Sequence, residues 1–225
     1  MNGLDAEKSG PSGRKMRTIV DVPMRIWHWA FAVCICTCLF TALLSNEDRM
    51  RLHMWSGIGV FGLLGFRVLW GVWGAGYARV RHYLTSPMGL FNFVRGKLAA
   101  DQPHTPPGSA LVAVLMGAAF AQATSGLFAS DGFLYEGPLA QFVSMAATEA
   151  ATEIHYRAYQ VLMAGIGIHL LAQLVYAVLR SPIPLLMFTG RRRSSLDSVH
   201  NDWTCAVLTA MLAAVPVVAL GYLLR

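Results

Sequence analysis

Histidines give this 225-residue chain its main potential for metal or proton chemistry. Four of its seven histidines lie within or at the mouths of long apolar segments: His28, His53, His155 and His169. Ionisable side chains at membrane depth are costly and usually functional, so these four are the first candidates. An imidazole can ligate a metal or relay a proton, and it can also be a hydrogen-bonded core residue. The remaining three lie in polar connections: His82, His104 and His200.

Five apolar segments position these histidines, and each is long enough to cross a bilayer as a helix. They cover residues 26–44, 53–74, 109–128, 155–179 and 203–224. Hydrophobic residues make up 55% of the chain and charged residues only 13%, whereas soluble domains carry about 25% charged residues. This composition argues against an ordinary water-soluble enzyme. It predicts an all-α integral membrane helical bundle.

The chain divides into four parts on this interpretation. Residues 1–24 are expected to form a polar, mostly disordered cytoplasmic tail. Residues 25–190 should form a four-helix transmembrane core, and residues 191–202 a basic cytoplasmic linker. Residues 203–225 should add a fifth transmembrane helix.

The distribution of charge predicts the orientation of the bundle. Lysines and arginines are concentrated in the tail and in the loops after the second and fourth segments, whereas the loop after the first holds only Arg49 and Arg51. The positive-inside rule then places the N-terminus in the cytoplasm and the C-terminus in the periplasm, in a bacterial inner membrane. The formal net charge of +6 is explained by this bias, and no nucleic-acid partner is expected.

Segment direction sorts the histidines by depth. The first segment runs outward, so His28 lies near the cytoplasmic side, whereas the second and fourth run inward and place His53 and His155 near the outer side. His169 follows His155 by 14 residues, a distance of about 21 Å along a helix. Matching depths pairs His53 with His155 and His28 with His169. Fourteen residues are two heptads, so both histidines of the fourth segment share a face.

Two pairs of facing imidazoles stacked across a membrane suit two bis-His, non-covalent b-type hemes. A proton relay or metal transport, and purely structural histidines, remain alternatives. One shared zinc ion is disfavoured, because zinc needs its ligands clustered at one place. There is no C-x-x-C-H motif for covalent heme attachment. The four cysteines are interpreted as small packing residues: Cys34, Cys36, Cys38 and Cys205.

Three arginines are candidate cofactor-binding residues beside the four candidate metal ligands, and no catalytic residue is predicted. Arg67 follows His53 by 14 residues, so it lies near the inner pair, where a buried cation could bind a heme propionate. A snorkelling side chain is the alternative. Arg25 could serve the inner heme and Arg157 the outer heme, although both lie at segment ends where surface exposure is common.

Glycines in the second segment form a G-x-G-x-x-G pattern. A nucleotide-binding interpretation requires a βαβ context that an apolar span lacks. Gly57, Gly59, Gly62 and Gly65 are instead expected to let a helix or a flat cofactor approach the backbone.

Several stretches together resemble bacterial cytochrome b561 and the related cytochrome b subunits of nickel–iron hydrogenases. Residues 21–29, Asp-Val-Pro-Met-Arg-Ile-Trp-His-Trp, are similar to the opening signature of that family. Residues 53–71 are similar to its second helix, and residues 104–109 to the entry of its third. Residues 124–128, 137–139 and 154–155, followed by His169, complete a resemblance that covers about residues 20–190.

The resemblance implies a four-helix core holding two b-type hemes, with axial histidines at the positions of His28, His53, His155 and His169. Members of the family pass electrons between a periplasmic redox partner and membrane quinone. Some resemble quinol-linked superoxide oxidases, and others anchor hydrogenases or formate dehydrogenases. The fifth segment departs from the shortest members, carries no apparent heme ligand and could be an assembly surface.

We therefore expect transmembrane electron transfer between the quinone pool and a periplasmic protein, either a c-type cytochrome or a dehydrogenase or hydrogenase subunit. Quinone or quinol would be the substrate, and lipid the surrounding partner. A stand-alone quinol-linked oxidoreductase acting on superoxide is one alternative, and a histidine-based proton or metal transporter is another. The acidic third loop, with Asp131, Glu136 and Glu149, could steer a basic cytochrome c or simply be a solvated surface.

Overall fold

The computed structural model describes residues 15–43, 47–82, 91, 95, 105–133 and 135–224. His104 lies outside these residues. The elements, in chain order, are β1 (Lys15–Thr18), α1 (Val22–Ala42), α2 (Glu47–Trp73), α3 (Pro106–Gly126), α4 (Met145–Val178), α5 (Leu186–Thr189), β2 (Arg191–Ser194) and α6 (Trp203–Leu223). Single 3-10 turns occur at Gly76–Ala78, Val80–His82 and Ala140–Phe142.

Five of these helices are long and apolar enough to cross a membrane: α1, α2, α3, α4 and α6. In the most apolar stretch of each helix, the share of residues buried inside the protein ranges from 11% in α4 to 50% in α2. The many outward-facing apolar side chains suit a lipid environment, in which backbone polar groups must be satisfied within each helix. The prediction of an all-α, multi-pass membrane bundle is confirmed.

Polar caps fix where the spanning helices begin. The Asp21 carboxylate accepts the Met24 N–H at 2.6 Å at the start of α1, and Asp202 accepts the Cys205 N–H at 2.9 Å at the start of α6. Such caps satisfy backbone donors that have no partner inside the helix. Ser144 caps α4 in the same way by accepting the Ala147 N–H.

Helix α4 begins at Met145, well before the apolar segment that starts at residue 155. Residues 145–153 are rich in alanine and carry two glutamates, so they favour a helix without being hydrophobic. The 34-residue helix is about 51 Å long, longer than a hydrocarbon core of about 30 Å. His155 therefore lies three turns inside the helix rather than at its start.

Helix α2 is the centre of the bundle. Helix α1 packs along α2, and α3 packs along α4, while α2 also contacts α3 and α6. The glycines of α2 divide between its neighbours: a side chain at Gly62 would clash with Val217 of α6, and one at Gly59 would touch the Cys34 thiol of α1. Gly59 and Gly62 thus meet the expectation that these glycines admit a neighbouring helix, whereas Gly57 has no atom within 4 Å of an added Cβ. Helix α6 is docked on α2.

The part of the tail at residues 15–24 is ordered, which corrects the prediction of disorder there, and it pairs with residues 191–194 of the basic linker. Strand β1 pairs antiparallel with β2, with Lys15 opposite Ser194 and Thr18 opposite Arg191. The following residues, Ile19 and Val20, are buried, and both donate backbone hydrogen bonds to Gly190. Burial of this apolar pair anchors the ribbon. The two strands are more than 170 residues apart in the chain, and the local composition of neither strand indicates its partner.

Candidate cofactor site

The imidazoles of His53 and His155 face each other across the bundle. Their ring centroids are 6.4 Å apart, and the ring planes make an angle of 73°. His53 projects from α2 and His155 from α4, and both side chains are partly buried. The structure thus brings together the two histidines that segment direction assigns to the outer depth.

The His53 ring is held from α1. Its Nδ1 atom lies 3.0 Å from the Cys38 carbonyl oxygen and 3.2 Å from the Thr41 hydroxyl oxygen. The Thr41 hydroxyl has its own acceptors, the carbonyls of Thr37 at 2.7 Å and Cys38 at 3.0 Å. Because a carbonyl can only accept, Nδ1 must carry the proton. The lone pair of the neutral ring is therefore on Nε2.

The His155 ring is held from α3 by the same arrangement. Its Nδ1 atom lies 2.9 Å from the Gln122 carbonyl oxygen and 3.3 Å from the Ser125 hydroxyl oxygen. The Ser125 hydroxyl donates to the Ala121 carbonyl at 2.6 Å. Gly126 leaves the room that the ring needs, since an added Cβ would lie 2.9 Å from the His155 Cε1 atom.

Each ring is thus fixed by a carbonyl and by a hydroxyl three residues later on the preceding helix. Thr41 is 1% exposed and Ser125 is 6% exposed, so bulk water does not compete for either hydroxyl. Orienting bonds of this kind set the tautomer of a metal-ligating histidine and raise its basicity. Gln122 also places its side-chain amide nitrogen 2.9 Å from the His155 Nε2 atom. A metal at Nε2 would displace that amide.

The inner pair is less tightly organised. His28 of α1 and His169 of α4 are close enough to interact electrostatically, and both are partly buried. The His28 Nδ1 atom is buried without a hydrogen-bond partner among the described residues. Its neighbour Trp29 meets the His28 ring edge-on at a centroid distance of 5.2 Å. A buried polar atom without a partner is unusual in a folded protein.

The donor set fits a metal that takes two imidazoles from the protein. Two imidazoles that bind one metal from opposite sides, through nitrogen atoms at about 2 Å, have ring centroids about 6.3 Å apart, close to the 6.4 Å between His53 and His155. Within the described part of the chain, no group of three or more His, Cys, Asp or Glu side chains could hold a metal. A bis-His heme needs only the pair, because the porphyrin supplies the other ligands. Gly57, one turn after His53, has no atom within 4 Å of an added Cβ.

Arg67 lies toward the C-terminal end of α2, away from His53 near its start, and has its own partners there. Its side chain is 7% exposed, and it donates to the Ala78 carbonyl at 3.1 Å. Arg67 also interacts electrostatically with the Asp21 carboxyl. Burial raises the pKa of Asp21, while the Met24 N–H, the Trp70 indole at 3.3 Å and Arg67 oppose that rise. Arg67 is therefore a buried residue and does not snorkel.

The other two candidate arginines also have partners away from the histidine pairs. Arg25 donates to the Phe188 carbonyl at 2.6 Å, which directs it toward α5. Arg157 forms an ion pair with Glu153 at 2.6 Å, and its side chain is 69% exposed. Neither contact directs an arginine toward an imidazole of the candidate site.

The spanning helices and the facing histidines agree with the result of a comparison against protein families. The family model described as prokaryotic cytochrome b561 matches residues 19–190. The chain belongs to this family. Cytochrome b561 proteins bind heme b and carry electrons across membranes, so the chain is a multi-pass membrane cytochrome. Helix α6 lies beyond the matched region. Comparison with individually curated proteins found no significant match.

Sequence reasoning identified the facing histidines and missed the groups that orient them. The Cys38 and Gln122 carbonyls are backbone groups, which every residue possesses, so no residue type marks them. The Thr41 and Ser125 hydroxyls did carry a signal. Both are small polar residues near the C-terminal ends of apolar helices, at the depth that the sequence assigns to His53 and His155.

Proposed function

We propose that this cytochrome b561 family member carries electrons between a periplasmic redox partner and membrane quinone through two hemes b. His53 and His155 would ligate the outer heme, and His28 and His169 the inner heme. The single observation that carries the proposal is the outer pair, with facing rings 6.4 Å apart and each Nδ1 held by a backbone carbonyl.

Each heme would supply a one-electron iron couple whose potential depends on its axial ligands and their hydrogen bonds. The protein's contribution is to fix those ligands. The Cys38 and Gln122 carbonyls hold the Nδ1 protons of His53 and His155, so Nε2 of each ring points its lone pair at the site. Held rings also need little reorganisation when the charge of the site changes.

Helix α4 supplies one proposed ligand to each heme. His155 and His169 are separated by 14 residues of the same helix, or about 21 Å of rise. The two sites would therefore be stacked across most of the hydrocarbon core, which is about 30 Å thick. This arrangement supports transfer across the membrane rather than along one surface.

The proposed outer end is acidic and suits a basic periplasmic partner. Asp131 lies in the exposed loop that follows α3, and Glu136 forms a β-bridge with Ser130 there. Glu149 lies on the extension of α4 beyond the apolar span. Complementary charge would raise the rate of encounter with a positively charged cytochrome. This orientation puts the N-terminus in the cytoplasm and the C-terminus in the periplasm of a bacterial inner membrane.

The proposal is tested by redox titration of purified wild type, His155→Ala and His169→Ala. Each variant should lose a different heme, leaving one potential component of the two found in the wild type. His82→Ala is the matched control, because His82 lies in a 3-10 turn outside the spanning helices, and it should retain both components. If both spanning variants removed the same component, or neither removed any, the assignment of ligands would be wrong.

A further inference from the structure

The β1–β2 ribbon concentrates positive charge at one end of the bundle. Its eight residues include five cations and no acid: Lys15, Arg17, Arg191, Arg192 and Arg193. In the register of the ribbon, Arg17 lies directly opposite Arg192. Arg191 and Arg193 are exposed and, being two residues apart, share one face. Arg191 and Arg193 therefore form an exposed cationic face of the ribbon, on the side opposite to Arg17 and Arg192.

An apolar groove with a volume of about 590 Å³ lies between α1 and α5. Its outward-facing wall is lipophilic, since Ile26 is 57% exposed, Val33 63% and Phe188 62%. Trp29 fixes the groove by donating to the Met187 carbonyl at 3.2 Å and by packing on the Phe188 ring. The lining residues are Val22, Arg25, Ile26, Trp29, Ala30, Val33, Met187 and Phe188.

Arg25 joins the groove to the ribbon and is the one charged residue of the lining. Its guanidinium lies on Gly190, where an added Cβ would be 3.1 Å from the Arg25 Nε atom. That Nε atom is buried and has no hydrogen-bond partner among the described residues. Gly190, at φ +71°, immediately precedes Arg191 of β2. A cation at the end of an apolar groove thus continues directly into the cationic ribbon.

We propose that this junction binds one anionic phospholipid, with an acyl chain in the groove and its phosphate beside Arg25, Arg191 and Arg193. Guanidinium groups are the preferred partners of phosphate oxygens, and basic clusters next to a membrane span attract anionic headgroups. A free phosphate would use the cations and leave the apolar groove unfilled. A neutral quinone would fill the groove but make no use of the ribbon. The phospholipid is the ligand whose chemistry matches both halves.

The test uses the full heme-loaded chain in non-ionic detergent, with bound lipid counted by native mass spectrometry. Phosphatidylglycerol should be retained in preference to phosphatidylcholine. Arg191→Gln with Arg193→Gln should weaken retention about 30-fold, the expected effect of removing two cations from a membrane-surface site. The control pair, Arg51→Gln with Arg81→Gln, removes the same charge from exposed positions elsewhere and should leave retention within about twofold.

A second variant separates the groove from the charge. Ala30→Trp would fill the groove that Ala30 lines and should abolish retention of phosphatidylglycerol while leaving the heme spectrum intact. The proposal is overturned if phosphatidylcholine is retained equally or if the control pair loses lipid as the ribbon pair does. It is also overturned if inorganic phosphate or a short-chain quinone displaces phosphatidylglycerol at millimolar concentration. Retention unchanged in Ala30→Trp would contradict it as well.

Discussion

Gly126 offers a selective test of the outer site, because a single added methyl group would press on one proposed heme ligand. A Cβ at this position would lie 2.9 Å from Cε1 and 3.1 Å from Nδ1 of His155. Carbon atoms in contact prefer separations of about 3.5–4.0 Å, so the ring must retreat by about 0.6 Å or more. The Nδ1 hydrogen bond to the Gln122 carbonyl, now 2.9 Å, would then be lost or badly weakened.

We expect Gly126→Ala to weaken binding of the outer heme by roughly 10- to 100-fold, the usual consequence of losing an orienting bond to a metal ligand. The helix itself should not suffer, because alanine is a better helix former than glycine by about 1 kcal/mol. The assay is heme content per chain together with redox titration, which reports each heme separately. The inner component should be unchanged.

Gly117→Ala is the matched control in the same helix. An added Cβ at Gly117 has no atom within 4 Å, so this variant should keep both hemes and gain whatever helix stability alanine provides. Equal heme content in the two variants would refute the argument that Gly126 makes room for a ligand. Loss of both hemes from Gly126→Ala would also refute it, since the inner pair lies elsewhere on the bundle.

Three further predictions concern the packing of the bundle away from the histidine pair. Arg67→Leu should destabilise the protein by about 1–3 kcal/mol in denaturant unfolding, because it leaves the buried Ala78 carbonyl without the donor that Arg67 supplies, whereas the exposed Arg157→Gln should cause no measurable change. Burial raises the pKa of Asp21 in the folded protein, so the free energy of unfolding should fall as the pH rises from 3.8, the ordinary pKa, through the pKa of the folded state. Asp21→Asn should keep the helix cap and make the unfolding temperature independent of pH across that range. Gly62→Leu, which clashes with Val217, should detach α6 and increase its cleavage by protease while the heme spectrum persists; an unchanged digestion pattern would show that α6 docks otherwise.

The sequence was most informative where one physical rule dominated. Hydropathy located all five spanning helices, because lipid requires long apolar stretches. The alternating direction of the segments was sufficient to match His53 with His155. The second and fourth segments run in the same direction, so residues near their beginnings lie at the same depth. Hydropathy predicted the boundaries of the helices less accurately than their existence. The start of α4 was missed because its first turns, capped by Ser144, lie outside the apolar segment.

Long-range pairing and side-chain partners were beyond the sequence. The strand formed by residues 15–18 depends on a partner near residue 191, and local composition there indicates only a polar tail. Charge and depth predict a heme propionate as a partner of Arg67, and the structure adds the Ala78 carbonyl, which accepts from Arg67 at 3.1 Å. That backbone partner depends on how the chain turns after α2, and residue spacing does not encode this turn.

The central claim is that this family member holds two b-type hemes between paired histidines, and heme content tests it most directly. A dithionite-reduced minus oxidised spectrum of the purified protein, quantified as pyridine hemochrome, should give a b-type α-band and about two hemes per chain. About one heme per chain would contradict the assignment of two histidine pairs. A colourless protein from heme-sufficient cells would contradict the electron-transfer account and favour a histidine-based transporter.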